Sequence, residues 1–363
     1  MNKIIWISAA VLSVAACAKN EVIPVNSGEN QEITFNVAPK TKAEDAHHHT
    51  EFGKDKVFAS WAYYLPEGST WNANSADAKE YISGATISYN TTEKVWKAKD
   101  KTYYWPKNGS LTFFAYSLYK DNLTLAAGTG FTCDPGAGIT GHINLNENHN
   151  TDFLVADIAQ DMKSNDKVHF TNGVPTLFKH RLSSVAFAIK TGEHYTNKEF
   201  KLTNITFHNL SHYGTYGQLP TESFVAGETK YDPVFTKAPQ EIPYQTNQTN
   251  FVGVTGVDKY IFIPQTFAKG SNANENAYIE VKYTITTTVA CTTPEGQPST
   301  KEVVEEVTKN IFLNPATGTP MFDKWEMGKK YTINLTFTLE EILWDPAVED
   351  WEDVTPATDR VVE

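Results

Sequence analysis

Apolar and polar residues alternate along much of the chain with a period of two. Ile279, Val281, Tyr283, Ile285 and Val289 share one parity, and Glu280, Lys282, Thr284, Thr286 and Thr288 take the other. That period fits a strand burying one face. Tyr331, Ile333, Leu335, Phe337 and Leu339 alternate in the same way with Thr332, Asn334, Thr336, Thr338 and Glu340. The pattern slips at Glu340-Glu341 before Ile342 and Trp344 resume it, which predicts a bulge or bend. Asp345-Pro346 is expected to end that strand. Ile33 to Val37 is a shorter strand of the same kind, and in the run Thr176 to Lys190 the residues Val185, Phe187 and Ile189 share a face. Val57 to Tyr64 is instead rich in β-formers at both parities, as in a strand buried on both faces; Leu111 to Tyr119, dense in aromatics, reads as a central sandwich strand, and Asp152 to Ala156 as a short apolar strand closing this half. Tyr81 to Tyr89, Lys94 to Lys97, Leu202 to Leu210 and Tyr260 to Pro264 add further strands. Residues 211–258 are loop-rich, and the polar stretch 291–300 turns the chain toward a hairpin partner at Glu302 to Leu313. No helical period is sustained. Short strands divided by turn residues predict an all-β sandwich architecture.

The start of the chain follows another logic. Met1-Asn2-Lys3 is short and positive, Ile4 to Val14 is an apolar run too short to span a bilayer, and Val14-Ala15-Ala16-Cys17 sets small residues directly before a cysteine. A charged n-region, an apolar h-region and a small-residue cleavage site make a signal peptide over 1–16. A cysteine at that point resembles the bacterial lipobox, so Cys17 is the expected site of acyl chains such as palmitate. The mature chain would begin there, anchored rather than spanning. Residues 17–31 read as a tether. Length and strand spacing then suggest two sandwich domains, 32–172 and 173–363.

Composition narrows the partners. The formal charge of −12, or −13 once Lys3 is lost, and only two arginines, Arg181 and Arg360, argue against a nucleic-acid partner. Cys133 and Cys291 could form one disulfide in an oxidising compartment, but they fall in different domains, and two separate thiols are the expectation. His47-His48-His49 is read as a solvated loop, since adjacent loop residues rarely converge on one ion. No Cys/His spacing fits a zinc site, and no nucleophile elbow, zincin helix or P-loop occurs, so neither cofactor nor metal nor enzymatic activity is expected. His180 and Arg181 point to opposite faces if both lie in a strand, and His180 is read as a structural histidine held by backbone contacts.

The order of several blocks carries a resemblance. Ile33-Thr34-Phe35 is followed by Thr41-Lys42-Ala43, then Tyr104-Trp105-Pro106 and Leu111-Thr112-Phe113-Phe114-Ala115-Tyr116. Asp152-Phe153-Leu154-Val155-Ala156 and Phe178-Lys179-His180-Arg181-Leu182-Ser183 come next, and Tyr331-Thr332-Ile333-Asn334-Leu335 leads to Trp344-Asp345-Pro346 and Asp350-Trp351. Together they resemble the fimbrillin family, lipoprotein subunits of the pili of Bacteroides-type bacteria.

The resemblance implies two transthyretin-like sandwich domains in tandem and a lipid-anchored, surface-exposed place at the outer membrane. It also implies assembly with other fimbrillin-type subunits by strand exchange, in support of adhesion to a host or bacterial surface. The removable strand would be Ile33 to Val37, with processing at Lys40 or Lys42. The donor would come from the region of Tyr331, Ile333, Leu335, Phe337, Leu339, Trp344 and Trp351. One departure stands out: the family's maturation uses an arginine-directed protease, and no arginine lies between Cys17 and Arg181. An unclipped chain would serve as an anchor, an accessory tip protein or a stand-alone surface lipoprotein. The alternative function is glycan binding without polymerisation, on a platform of Trp61, Tyr63, Tyr64, Trp71, Tyr103, Tyr104 and Trp105. Exposure of those rings separates the two.

Overall fold

The computed structural model describes residue 23 and residues 32–37, 51–119, 130–145, 152–163, 173–228, 230–234, 239–247, 249–254, 260–351 and 355–356. Among the described residues strands dominate, and the helical segments are a single turn at Trp71–Asn74 and the 3-10 turn Ser75–Asp77 that follows it. The all-β reading holds.

The largest sheet runs in the order Val174–Pro175, Phe35–Asn36, Val95–Ala98, Lys79–Asn90, Val57–Leu65, Ser110–Tyr119, Asp152–Ala156 and Phe178–His180. Only Thr176 and Leu177 separate its first and last members in the chain. Two residues reach little more than about 10 Å, so the sheet must curl round on itself. Ile33, Phe35, Phe58, Trp96, Phe113 and Phe178 fill the enclosed face. Phe35 stands edge-on to Phe58 and Phe113, at centroid distances of 5.5 and 5.8 Å, the geometry aromatic rings prefer.

The outer face of the same strands is also buried. Trp61, Tyr63, Phe114, Tyr116 and Phe153 pack with Ile139, Ile143 and Tyr216 of a second sheet, ordered Ser223–Ala226, Tyr213–Gly217, Gly138–Asn144 and Phe131–Asp134. This explains the lack of alternation in Val57–Leu65 and Ser110–Tyr119: both parities face a core. Five residue pairs join Gly138–Asn144 to Tyr213–Gly217, from Tyr213 opposite Asn144 to Gly217 opposite Thr140. Sequence before residue 173 is thus knitted to sequence after it.

The third core lies between two further sheets. One holds Ser183–Thr191, Lys329–Phe337 and Ile342–Asp350 in that order; the other holds Lys198–His208, Tyr278–Thr292 and Pro298–Phe312. Val185, Phe187 and Ile189 meet Val281, Tyr283, Ile285 and Leu335 there, as their shared parity predicts.

Several expectations need correction. Thr176 to Lys190 is two strands in different sheets, broken at Arg181-Leu182. The stretch 211–258 contains Tyr213–Gly217, a central strand despite its two glycines. Half of the polar segment 291–300 continues the hairpin strands, and the turn narrows to residues 293–297. The slip at Glu340-Glu341 is a full chain reversal rather than a bulge. Thr338 caps it, with its N–H and hydroxyl both donating to the Glu341 carbonyl at 3.0 and 2.9 Å. Pro346 does not end the strand, because Ile342–Asp350 lies at the edge of its sheet, where a missing N–H costs no ladder bond.

Candidate functional site: the first strand and the C-terminal hairpin

Phe35–Asn36 sits between two backbone edges. It pairs in parallel with Val174–Pro175 and antiparallel with Val95–Ala98 through Trp96. Its hold on the backbone is short. The Val174 N–H donates to Thr34 O, the Thr176 N–H to Asn36 O, and the Ile33 N–H to Tyr103 O, at 2.7 to 2.8 Å. Its hold on the core is stronger, because Ile33, Phe35 and Val37 are each no more than 3% exposed. Gly173 lets the neighbouring chain come this close. Its φ is +103°, and a Cβ there would lie 2.7 Å from the Thr34 backbone. Lys40 and Lys42 follow Val37 by three and five residues and lie, with Cys17 and His47 to His49, outside the described residues.

At the other end the structure divides the expected donor region. Tyr331, Ile333, Leu335 and Phe337 come together in the third core, all buried. Their strand, Lys329–Phe337, is paired on both sides: eight residue pairs in parallel with Ser183–Thr191 and nine antiparallel with Ile342–Asp350. Leu339 falls outside it, in the reversal, and is 47% exposed. Trp344 is half-buried against the same core, and Leu343 and Val348 are exposed.

Trp351 lies in a different cluster. Its indole stacks on the His180 ring at 3.9 Å between centroids and 6° between planes, and the Trp351 backbone N–H donates to Gly328 O at 2.7 Å. His180 is no backbone-satisfied histidine, since its Nδ1 pairs with the buried Asp152 carboxylate. This Asp152–His180–Trp351 cluster was legible in principle. An aspartate and a histidine each embedded in an apolar strand must find one another, because a lone buried charge is prohibitive. Arg181 turns the other way to Glu222, whose carboxylate also accepts from the Tyr216 hydroxyl; that paired, mostly buried arginine is poorly placed for a protease.

The rings expected of a glycan platform are mostly spent in packing. Trp61, Tyr63, Trp71 and Trp105 are buried, and Tyr64, Tyr103 and Tyr104 are half-buried. Cys133 and Cys291 are unpaired thiols, the first half-buried and the second exposed.

The fold is that of an all-β fimbrial protein. Over 89% of its length the chain follows the crystal structure of a fimbrial protein from Bacteroides vulgatus, with 16% identity, coverage of 100% of that chain and a TM-score of 0.60. The tip fimbrial protein Mfa3 of Porphyromonas gingivalis, solved with a C-terminal truncation, aligns over 82% of this chain and 95% of its own at 11% identity and a TM-score of 0.35. No curated protein sequence matches the chain. The fimbrillin-like family model matches residues 61–351, and the chain belongs to that family. It is accordingly a fimbria-related structural protein of the cell surface.

Proposed function

We propose that the protein is a fimbrial subunit exported as a lipoprotein on Cys17, clipped at Lys40 or Lys42, and joined to its neighbour by strand exchange. In this reading 32–172 and 173–363 are its two sandwich domains. The seating of the first strand carries the proposal. Burial of Ile33, Phe35 and Val37 contributes roughly 5–9 kcal/mol, a large share of the about 5–15 kcal/mol that stabilises a native protein. A chain that loses this strand exposes an apolar groove between two unpaired edges. An extended segment of another subunit restores both the burial and the backbone hydrogen bonds.

The donor side of the reading centres on Ile342–Asp350. Withdrawing Lys329–Phe337 would empty the core of its own subunit, whereas the edge strand breaks one ladder and uncovers mainly Ile342 and Trp344. The test uses the mature chain with Cys17→Ser to keep it in solution. Treatment with a lysine-specific protease should convert monomers into filaments visible by electron microscopy. The Lys40→Gln, Lys42→Gln double variant should stay monomeric, as should a clipped chain lacking residues 342–363. A clipped intact chain that remains monomeric would refute strand exchange.

A further inference from the structure

Far from the first strand, a cleft of about 670 Å³ lies between Ser223–Ala226 and the short ladder of Gln265–Thr266 with Lys324–Trp325. Consecutive residues line it: 224–228 on one wall, 264–266 and 324–327 on the other, with Ser211 and Lys230 completing the lining. Successive strand side chains point to opposite faces. A cleft lined by three consecutive residues of one strand, Phe224, Val225 and Ala226, therefore runs along that strand's edge, not across its face.

Among the described residues the edge in question is free: Ser223–Ala226 is the outer strand of its sheet and pairs with Tyr213–Gly217 alone. The Gly227 N–H donates to Tyr213 O at 2.7 Å, which sets the phase of the ladder. Bonded and non-bonded positions alternate in an antiparallel pair. Gly227, Val225 and Ser223 thus direct their backbone groups to the partner strand, while Phe224 and Ala226 direct theirs outward along the cleft. Both are half-buried, and among the described residues no strand pairs with them. With a rise of about 3.3 Å, a strand spacing of about 4.8 Å and a face-to-face spacing of about 10 Å, one strand residue fills on the order of 160 Å³. The cleft therefore has room for about four residues, the length of the strand that borders it.

We propose that this cleft receives an extended peptide segment of a partner protein, which adds as a strand to Ser223–Ala226 and sets an acidic side chain against Lys230. The Lys230 Nζ donates to the Oγ of buried Ser211 at 2.9 Å, and that hydroxyl donates onward to Gly227 O at 2.5 Å. Among the described residues this is the ammonium's one hydrogen bond. Lys230 is exposed to the cleft; desolvation lowers it from the ordinary lysine value, opposed by the charge of Glu228. Two of the other polar lining groups are committed. The Gln265 carboxamide accepts from Ser211 N–H and donates to the Ser211 and Ile263 carbonyls, and Lys324 pairs with Glu326 at 2.8 Å. Backbone addition supplies the affinity here, and Lys230 supplies the choice of side chain. The cleft belongs to a sheet the first strand does not enter, so this binding stands or falls independently of strand exchange.

The probe is a fluorescein-labelled hexapeptide of alternating threonine and valine ending in an aspartate amide, titrated by anisotropy against the mature Cys17→Ser chain. Saturable binding is expected. Ala226→Pro removes an outward N–H without breaking a ladder bond, as edge strands tolerate, and should weaken binding by about ten-fold or more, a change of about 1.4 kcal/mol. Lys230→Gln should weaken the aspartate peptide similarly and leave an asparagine counterpart unchanged. A peptide N-methylated at alternate residues tests the backbone requirement on the unaltered protein and should not bind. Absence of saturable binding up to about 1 mM (about −4 kcal/mol), or binding indifferent to both substitutions and to N-methylation, would overturn the proposal. So would an oligo-uronate that competes equally and ignores Ala226→Pro, because a saccharide does not need the strand edge.

Discussion

Single residues decide how the first strand is seated. At Gly173 both the positive φ and the 2.7 Å approach to Thr34 exclude a side chain. Gly173→Ala should loosen the strand and leave the distant third core intact. The readout is faster proteolysis at Lys40 and Lys42 at unchanged far-UV circular dichroism. Trp351 closes the opposite end of the chain onto His180. Trp351→Ala deletes a buried ring at a cost of roughly 3–5 kcal/mol, measurable as a lower urea midpoint. The two thiols should behave differently. Burial pushes Cys133 up to about 12, whereas Cys291 is exposed in the 278–292 strand. Since the thiolate is the reactive form, maleimide at neutral pH should label Cys291 and spare Cys133 until the protein unfolds.

At the level of elements, alternation was readable wherever one face meets solvent. Tyr278–Thr292 and Lys329–Phe337 followed their pattern closely. Val289 departs because the hairpin extends beyond the core, leaving it 45% exposed. Phe131–Asp134 and Gly138–Asn144 went unread for a physical reason. Gly141 looks like a turn residue, yet it is a strand position where the Phe131 ring would lie 2.3 Å from a Cβ. At the candidate site the alternation at 33–37 and 331–337 was legible as strand, but which of Lys329–Phe337 and Ile342–Asp350 is interior depends on pairing with Ser183–Thr191, and parallel pairing across such a distance leaves no local trace. That distinction separates two substitutions. Ile333→Asp buries a charge in a fully enclosed position, costs several kcal/mol, and should prevent folding. Leu343→Asp, on the exposed edge strand, should fold normally and reduce only filament formation in the clipped protein. A Leu343→Asp variant that polymerises like the parent would move the donor elsewhere.

Across the whole molecule, the same ladder has a consequence in time rather than space. Ser184 meets Lys330 and Thr191 meets Phe337, so the third core cannot close until nearly the entire chain is available. The strands 57–65, 79–90 and 110–119 meet over much shorter loops. Loop closure and contact order both delay pairings between distant residues. Amides of Val57–Leu65 and Ser110–Tyr119 should therefore gain protection earlier than those of Ser183–Thr191 when refolding of the full chain is followed by pulsed hydrogen exchange. During that interval Ser183–Thr191 is an apolar strand with no long neighbour, and its Val185, Phe187 and Ile189 are the segment that a chaperone holdase would have most reason to shield.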